Sequence, residues 1–161
     1  MSAEGLCFVR ARGRRMRWNR PLLGAMAFFA GSMLAPHANA DLAVIVHADS
    51  PVTALSANEV KEIFLARSLR TSGGVRVVPV DQLEGGMAYA VFYEQVVKKS
   101  PAQLNSYWSR LIFTGKGRPP VALADDAEVL EFVSANPGML GYINAEAVTP
   151  QVKVVLTVPQ P

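Results

Sequence analysis

The sequence predicts an α/β fold for residues 41–161, and two observations support this prediction. Short runs of β-branched and other apolar residues occur near the start, in the middle and at the end of the segment, as in strands that are covered on both faces. Segments with helix-capping signals and a helical spacing of apolar residues lie between these runs. This alternation is typical of a sheet flanked by helices. A length of about 120 residues is enough for one domain with its own hydrophobic core.

Four segments have the composition of strands. The predicted strands are residues 42–47 (LAVIVH), 75–80 (VRVVPV), 152–158 (VKVVLTV) and, with a weaker pattern, 139–143 (MLGYI). We expect them to form a central mixed sheet of about four to five strands, which is an ordinary size for a small domain.

Three predicted helices begin with a capping pair whose members are three residues apart: Ser56 with Glu59, Ser100 with Gln103, and Asp125 with Glu128. In such a pair the first side chain accepts a hydrogen bond from a free amide of the first turn. A fourth helix is expected after Gly85 and Gly86, with Val91, Phe92 and Val96 on its apolar side. The predicted order is therefore β-α-β-α-α-α-β-β, and it opens with a right-handed crossover between the first two strands.

Residues 1–40 have the three parts of a secretory signal. Arginines precede an apolar run at 22–35, and the segment ends in Ala38-Asn39-Ala40. The run is shorter than the ~20 residues that cross a bilayer as a helix, so we predict cleavage after Ala40 and a periplasmic location. An uncleaved anchor is the alternative. Translation from Met16 would give a signal of more usual length, which leaves the true start open.

The N-terminal segment also accounts for the basic character of the chain. It holds six of the 16 Lys and Arg residues and one of the 13 Asp and Glu residues, which leaves 10 basic and 12 acidic residues in 41–161. A domain with a net charge of −2 lacks the basic footprint of a nucleic-acid-binding protein. After signal cleavage we expect no stable membrane insertion. Cys7, the only cysteine, lies in the segment that is predicted to be removed.

Nothing in 41–161 has the pattern of an enzyme active site. His47 is the only histidine there, so a histidine-based metal cluster is excluded, and no G-x-S-x-G motif is present. Helix capping explains the neighbouring carboxylates Asp125, Asp126 and Glu128 without catalysis. The stretch TGKG at 114–117 resembles a fragment of a phosphate-binding loop but lacks the rest of the motif, so nucleotide binding is not predicted. We therefore predict no catalytic residues, no metal and no cofactor.

Anion binding by backbone amides is the remaining chemistry. The helix that is expected to start at Gly85, Gly86, Met87 and Ala88 offers free amides at the positive end of its dipole. Ser50 and Thr53, in the turn after the first strand, offer hydroxyl groups, and Lys116 offers a counter-charge. These residues are the predicted ligand-binding set, and an ordinary strand-to-helix turn is the alternative interpretation.

Longer stretches of the sequence carry a family resemblance. They are VIVHADSPVTALSANEVKEIFLARS at 44–68, VVPVDQLEGG at 77–86, SPAQLNSYWSRLIFTGKGRPP at 100–120 and the segment 126–142. Together they resemble the small, single-lobe, periplasmic phosphate-binding-protein-like family, which is related to the substrate-binding subunit of phosphate ABC transporters. The resemblance implies a type 2 periplasmic-binding-protein-like lobe that binds a small oxyanion such as phosphate.

One part of the resemblance bears directly on function. Where full-length phosphate binders carry Ser-Gly-Thr at the helix start, this chain has Gly86, Met87 and Ala88, and Asp81 and Glu84 lie nearby in the sequence. Two functions therefore remain open. The first is solute binding for ABC-type uptake or sensing, with an inner-membrane transporter or sensor as partner. The second is an envelope protein-interaction or sensor-accessory module without a small ligand.

Overall fold

The computed structural model describes residues 41–160, so the predicted signal peptide and the alternative start at Met16 lie outside the described residues. Five strands form one sheet in the order β3-β2-β4-β1-β5. Their bounds are β1 Leu42–His47, β2 Val78–Gln82, β3 Val121–Leu123, β4 Met139–Asn144 and β5 Val152–Val158. The prediction of an α/β fold with a central mixed sheet is confirmed.

Four α-helices flank the sheet: α1 Ala57–Phe64, α2 Met87–Phe92, α3 Pro101–Phe113 and α4 Asp126–Ala135. A π-helical turn at Tyr93–Val97 extends α2, and a 3₁₀ turn follows β4 at Ala145–Ala147. The capping boxes at Ser56 and Ser100 are both present, and the Asp125 side chain caps α4. In the described part of the chain, no helix has the length and apolarity needed to cross a bilayer.

The strand directions correct one prediction. β1 is antiparallel to both β4 and β5, whereas β2 is parallel to β3 and β4. β1 therefore runs opposite to the other four strands, and β4 separates it from β2. The predicted right-handed crossover between the first two strands is wrong, since that rule applies to parallel strands of one sheet. Nothing in the local sequence of β1 or β2 indicates that a later segment inserts between them.

β3 was not predicted from the sequence. It has three residues, it follows two prolines, and Val121 and Ala122 are exposed at the edge of the sheet. A segment this short has no readable periodicity, and its pairing with β2 defines it as a strand. The second predicted strand also begins three residues late, at Val78, because Arg76 instead forms an isolated bridge with Arg70.

Alternate residues of β1 enter two separate cores. Leu42, Val44 and Val46 pack on one face of the sheet with α1 and α2, while Ala43 and Ile45 pack on the other face with α4. Because side chains alternate across a strand, a strand that is covered on both faces must be apolar throughout. The continuous apolar run of β1 is therefore explained by its position between two layers of helices.

Candidate functional site

The turn between β2 and α2 and the start of α2 contain four of the predicted ligand-binding residues. Gly85 has a φ of 97°, a conformation that favours glycine, and Gly86 is the N-cap of α2 without a side-chain hydrogen bond. Met87 follows with 74% of its surface exposed, whereas Ala88 is buried. The first amides of α2 therefore have no side-chain cap, and no hydroxyl group is present at the N-cap.

A cleft of about 610 Å³ lies beside this turn. It is formed by the turn itself, by α2 with its π-helical extension, and by the start of α3. Its lining residues are Glu84, Gly85, Tyr89, Ala90, Tyr93, Glu94, Lys98, Lys99, Ser100, Pro101 and Leu104. Most of the lining surface is apolar, and the charged groups comprise two carboxylates and two ammonium groups. The cleft can therefore hold a small organic molecule with polar ends.

The π-helical turn places the two lysines at this cleft. Lys98 ends the turn in a left-handed conformation with a φ of 56°, and its amide donates to the Tyr93 carbonyl oxygen at 2.7 Å. A non-glycine residue in this conformation is uncommon and reflects constraint by its surroundings. The chain then turns at once into Ser100, the N-cap of α3. Lys98 and Lys99 thus lie where two helices meet.

Two tyrosine rings form the aromatic wall of the cleft. The Tyr89 and Tyr93 ring centroids are 4.3 Å apart, with an angle of 34° between the planes. The Tyr89 hydroxyl donates to Glu84 Oε1 at 3.3 Å. Burial and the neighbouring Glu84 carboxylate raise the pKa of Tyr89, so its phenol stays protonated and remains a donor.

Asp81 lies behind this wall, inside the protein. Its carboxylate accepts hydrogen bonds from the Tyr142 hydroxyl at 2.5 Å, from the Gln82 amide at 2.9 Å and from the Tyr93 hydroxyl. Burial raises the pKa of Asp81, and these three hydrogen bonds oppose that shift. Both tyrosines also have raised pKa values, first because they are buried and then because of the Asp81 charge.

The sequence suggested a different environment for Asp81, namely a negative charge next to a bound anion. That interpretation placed the residue just beyond the end of a predicted strand. β2 continues to Gln82, so Asp81 is part of the strand and only 6% of its surface is exposed. The tyrosines that bind it are 12 and 61 residues away in sequence, and no local pattern indicates such partners.

The other predicted ligand-binding residues lie elsewhere. The last residues of β1 and the first residues of β2 lie at the same end of the strands, because Val46 and Pro79 both pair with Leu140. Ser50 and Thr53 follow β1, so they lie at the end of the sheet opposite to Gly85, which follows β2. The Ser50 hydroxyl accepts from the Val52 amide at 3.3 Å, and Thr53 is exposed. The structure does not bring these two residues together with the α2 start.

Lys116 also lies apart from the α2 start. It lines a second cleft, of about 430 Å³, together with Val78 and Pro79 at the beginning of β2. The ligand-binding roles of Ser50, Thr53 and Lys116 stay predictions, as do those of the Gly85–Ala88 segment. The structure adds Tyr89, Tyr93, Lys98 and Lys99 to the candidate residues. Sequence reasoning missed them because their helical spacing is that of ordinary core and surface positions.

The carboxylates of α4 have structural partners. Asp125 Oδ1 accepts from the Glu128 amide at 2.9 Å, and Asp126 accepts from the Gln82 and Asn144 side-chain amides, each at 2.7 Å. His47 Nδ1 accepts a hydrogen bond from the Asp49 amide at 3.1 Å. Within residues 41–160, no three His, Cys, Asp or Glu side chains are grouped as metal ligands would be.

Comparisons with known proteins identify the fold. Neither the protein-family models nor the curated proteins give a match to this chain. Among solved structures, an ABC-type phosphate transport receptor from Vibrio cholerae is similar, with a TM-score of 0.58, 15% identity, and coverage of 72% of this chain and 45% of the receptor. PstS from Borrelia burgdorferi gives a TM-score of 0.54 at 10% identity and covers 74% of this chain and 47% of its own.

A third similar structure was solved with bound phosphate. It is assigned as a phosphate ABC transporter substrate-binding protein from Clostridium perfringens, with a TM-score of 0.56, 18% identity, and coverage of 72% of this chain and 44% of its own. The chain described here has the fold of a single periplasmic-binding-protein-like lobe. It spans less than half the length of each of these three proteins.

Proposed function

We propose that residues 41–161 form a periplasmic solute-binding domain that holds a small anionic molecule for uptake or sensing. The cleft beside Gly85 carries this proposal, because it lies at the carboxyl end of β2 in a periplasmic-binding-protein-like lobe. Ligands of open α/β sheets bind outside the carboxyl ends of the strands. The names of the similar structures, which refer to phosphate transport and substrate binding, support the same class of function.

The residues of the cleft favour an organic anion over inorganic phosphate. Lys98 and Lys99 supply positive charge, and the adjacent, tilted rings of Tyr89 and Tyr93 supply an apolar wall. A phosphate dianion needs many donors, whereas the start of α2 has no hydroxyl group and Glu84 lies in the same cleft. A carboxylate or phosphate monoester with an apolar body would use both the lysines and the tyrosines.

Calorimetric titration of the purified protein tests this assignment. The titrated compounds are inorganic phosphate, sulfate, an aromatic carboxylate and an aromatic phosphate monoester, each at the same ionic strength. We expect an organic anion to bind and to raise the thermal midpoint, because a ligand at a hundredfold excess over Kd adds about 2.7 kcal/mol to the free energy of unfolding. No binding in any arm would contradict the proposal, and tight binding of phosphate alone would contradict the choice of ligand.

Lys98→Gln separates this cleft from the other candidate positions. Loss of one charge-assisted contact is expected to weaken binding of the organic anion about tenfold. Lys116→Gln is the matched control, because Lys116 lines the cleft at the beginning of β2. If Lys116→Gln weakened binding and Lys98→Gln did not, the sequence-based choice of Lys116 would stand and the cleft beside Gly85 would be excluded.

A protein-interaction module is the second candidate function, and exposed apolar side chains at the same turn favour it. Met87 is 74% exposed and Leu83 is 55% exposed, one on each side of Gly85 and Gly86. Exposed apolar residues of this kind suit contact with a transporter or sensor protein. A photo-crosslinking residue at Met87 should then capture one defined protein in cells, whereas one at Val154, on β5, should not. Equal products at both positions would argue against this function.

A further inference from the structure

The exposed face of α3 carries a cationic depression that shares Lys99 with the cleft beside Gly85 and otherwise has its own lining residues. The depression is about 450 Å³ in volume and is lined by Lys99, Ala102, Gln103, Ser106, Tyr107 and Arg110. The Lys99 Nζ and Arg110 Cζ atoms lie 5.8 Å and 6.0 Å from the centroid of the Tyr107 ring. The Tyr107 hydroxyl donates to the Leu65 carbonyl oxygen at 2.7 Å, which anchors the ring that both cations approach.

The positive charge of this face is uncompensated. Residues 95–124 contain no Asp or Glu but contain Lys98, Lys99, Arg110, Lys116 and Arg118. Within residues 41–160, neither Lys99 nor Arg110 forms an ion pair, whereas Arg67 at the same ring is paired with Glu62 at 3.0 Å. Lys99 and Arg110 are thus cations on the exposed face of α3 without an acidic partner among the described residues, which points to an anionic partner.

An exposed aromatic side chain follows the cations along the same helix. Phe113 is 93% exposed, and Ile112 beside it is 57% exposed. Phe113 is three residues beyond Arg110, so the two side chains share one helix face about 4.5 Å apart along the axis. The turn that follows contains Gly115 with a φ of 66° and carries Lys116 and Arg118. The helix therefore ends in a projecting apolar tip flanked by cations.

We propose that this α3 surface, defined by Lys99, Tyr107, Arg110 and Phe113, docks on an anionic phospholipid bilayer. Headgroup phosphates would lie in the depression between Lys99 and Arg110, while Phe113 enters the interfacial region. Basic residues next to exposed aromatic and aliphatic side chains are the combination that binds anionic membrane surfaces. The inference goes beyond solute binding and does not depend on it.

Vesicle sedimentation tests the proposal with protein recovered from the cell envelope. The vesicles are phosphatidylcholine alone, and phosphatidylcholine with about 30% phosphatidylglycerol, at low and at about 0.5 M NaCl. We expect binding to the anionic vesicles that is lost at the higher salt. Arg110→Gln should reduce the partition coefficient about fivefold, since each basic residue near such a surface contributes by roughly that factor. Phe113→Ser should also reduce it.

Lys153→Gln and Val154→Thr, both on β5, are the matched controls and should bind like the unchanged protein. Every variant carries the same N-terminal segment, so differences among them report on the α3 surface alone. Equal binding to both kinds of vesicle, or no effect of Arg110→Gln and Phe113→Ser, would overturn the proposal. Absence of vesicle binding, together with capture of an acidic protein that depends on Phe113, would assign the surface to a protein partner instead. None of these outcomes bears on the cleft beside Gly85.

Discussion

At the scale of single residues, Asp81 links the candidate cleft to the core. A buried carboxylate is costly unless several donors satisfy it, and here two phenols and a backbone amide do so. Tyr93 contributes its ring to the cleft and its hydroxyl to Asp81. The buried carboxylate thus fixes the position of a residue that lines the cleft.

Tyr142→Phe tests the contribution of this network to stability. The Tyr142 ring stacks on Phe92 with centroids 4.0 Å apart, and phenylalanine preserves that contact, so the change removes only the hydroxyl group. We expect the free energy of unfolding to fall by about 1.5–3 kcal/mol, as for a lost hydrogen bond to a charged group. The pKa of Asp81 should rise further, because a donor to its charged form is gone.

Urea unfolding measures the change, and Tyr107→Phe is the matched control. The Tyr107 hydroxyl donates to a neutral carbonyl and is only partly buried, so its loss should cost about 0.5–1.5 kcal/mol. A larger loss for Tyr107→Phe than for Tyr142→Phe would contradict the role assigned to Asp81.

Gly141 in β4 shows how closely α4 packs on the sheet. A Cβ atom at this position would lie 2.7 Å from Val129 Cγ1 and 3.1 Å from Val80 Cγ2. We expect Gly141→Ala to lower the free energy of unfolding by about 1–3 kcal/mol, because both neighbours are buried and cannot move freely. At Gly73 the nearest atom would be 3.7 Å away.

Thermal unfolding of the two alanine variants provides the comparison. Gly73→Ala should stay within about 0.5 kcal/mol of the unchanged protein, as for most surface substitutions. If Gly141→Ala were equally mild, α4 would have to sit farther from β4 than described.

At the scale of elements, the start of α1 is tied to a distant loop. The Glu59 carboxylate accepts from the Ser56 amide at 3.0 Å and from the Ser72 amide at 3.0 Å. The hydrogen bond from the Ser56 amide, followed by those from the Ser72 side chain and amide and from the Ser56 hydroxyl, lowers the pKa of Glu59 from 4.5 to about 2. One side chain therefore completes the capping box and anchors the loop that leads to β2.

Glu59→Gln should lower the free energy of unfolding by about 1 kcal/mol at neutral pH. The folded pKa is below the unfolded one, so on acidification the unfolded chain takes up the proton first. The stabilisation by Glu59 is complete above about pH 4.5 and is lost as the pH falls toward about 2. The difference between the two proteins should therefore shrink over that window.

Unfolding in urea at several pH values measures this effect, with Glu131→Gln as the control. Glu131 is exposed on α4, and its substitution should change the free energy of unfolding by less than about 0.5 kcal/mol. A difference for Glu59→Gln that grew at low pH would contradict the assigned direction of the pKa shift.

The helices were predictable because their capping signals are local. Ser56 with Glu59 and Ser100 with Gln103 satisfy the first turn within four residues, so their spacing alone predicts the helix start. β3 and the late start of β2 were not predictable in this way. Their hydrogen bonds come from other strands, and a three-residue segment contains no pattern of its own.

At the scale of the whole molecule, the direction of β1 separates the predicted ligand-binding residues. In an all-parallel sheet, the turns after β1 and β2 would lie at one edge, and Ser50, Thr53 and Gly85 could bind one ligand. Because β1 is antiparallel to the other strands, the turns after β1 and β2 lie at opposite ends of the strands. A single reversal of direction thus divides one predicted site into two locations.

The N-terminus of the processed protein tests the predicted organisation of the chain. Protein isolated from the envelope should begin at Asp41 when analysed by mass spectrometry, because the Ala38-Asn39-Ala40 sequence suits a signal peptidase. Replacing Ala40 with a bulky residue should leave the precursor uncleaved and attached to the membrane, whereas the same change at the exposed Ala54 should not affect processing. An envelope form that retained residues 1–40 would contradict this prediction.

The α/β class, four of the five strands and the caps of three helices follow from the sequence alone, because apolar periodicity and capping act between near neighbours. The family resemblance agrees with the periplasmic-binding-protein-like lobe. The direction of β1, the insertion of β4 beside it, the burial of Asp81 between Tyr93 and Tyr142, and the meeting of α2 and α3 at the cleft emerge only in the folded domain. These features join residues far apart in the chain, and only the packing of the whole domain selects among such partners.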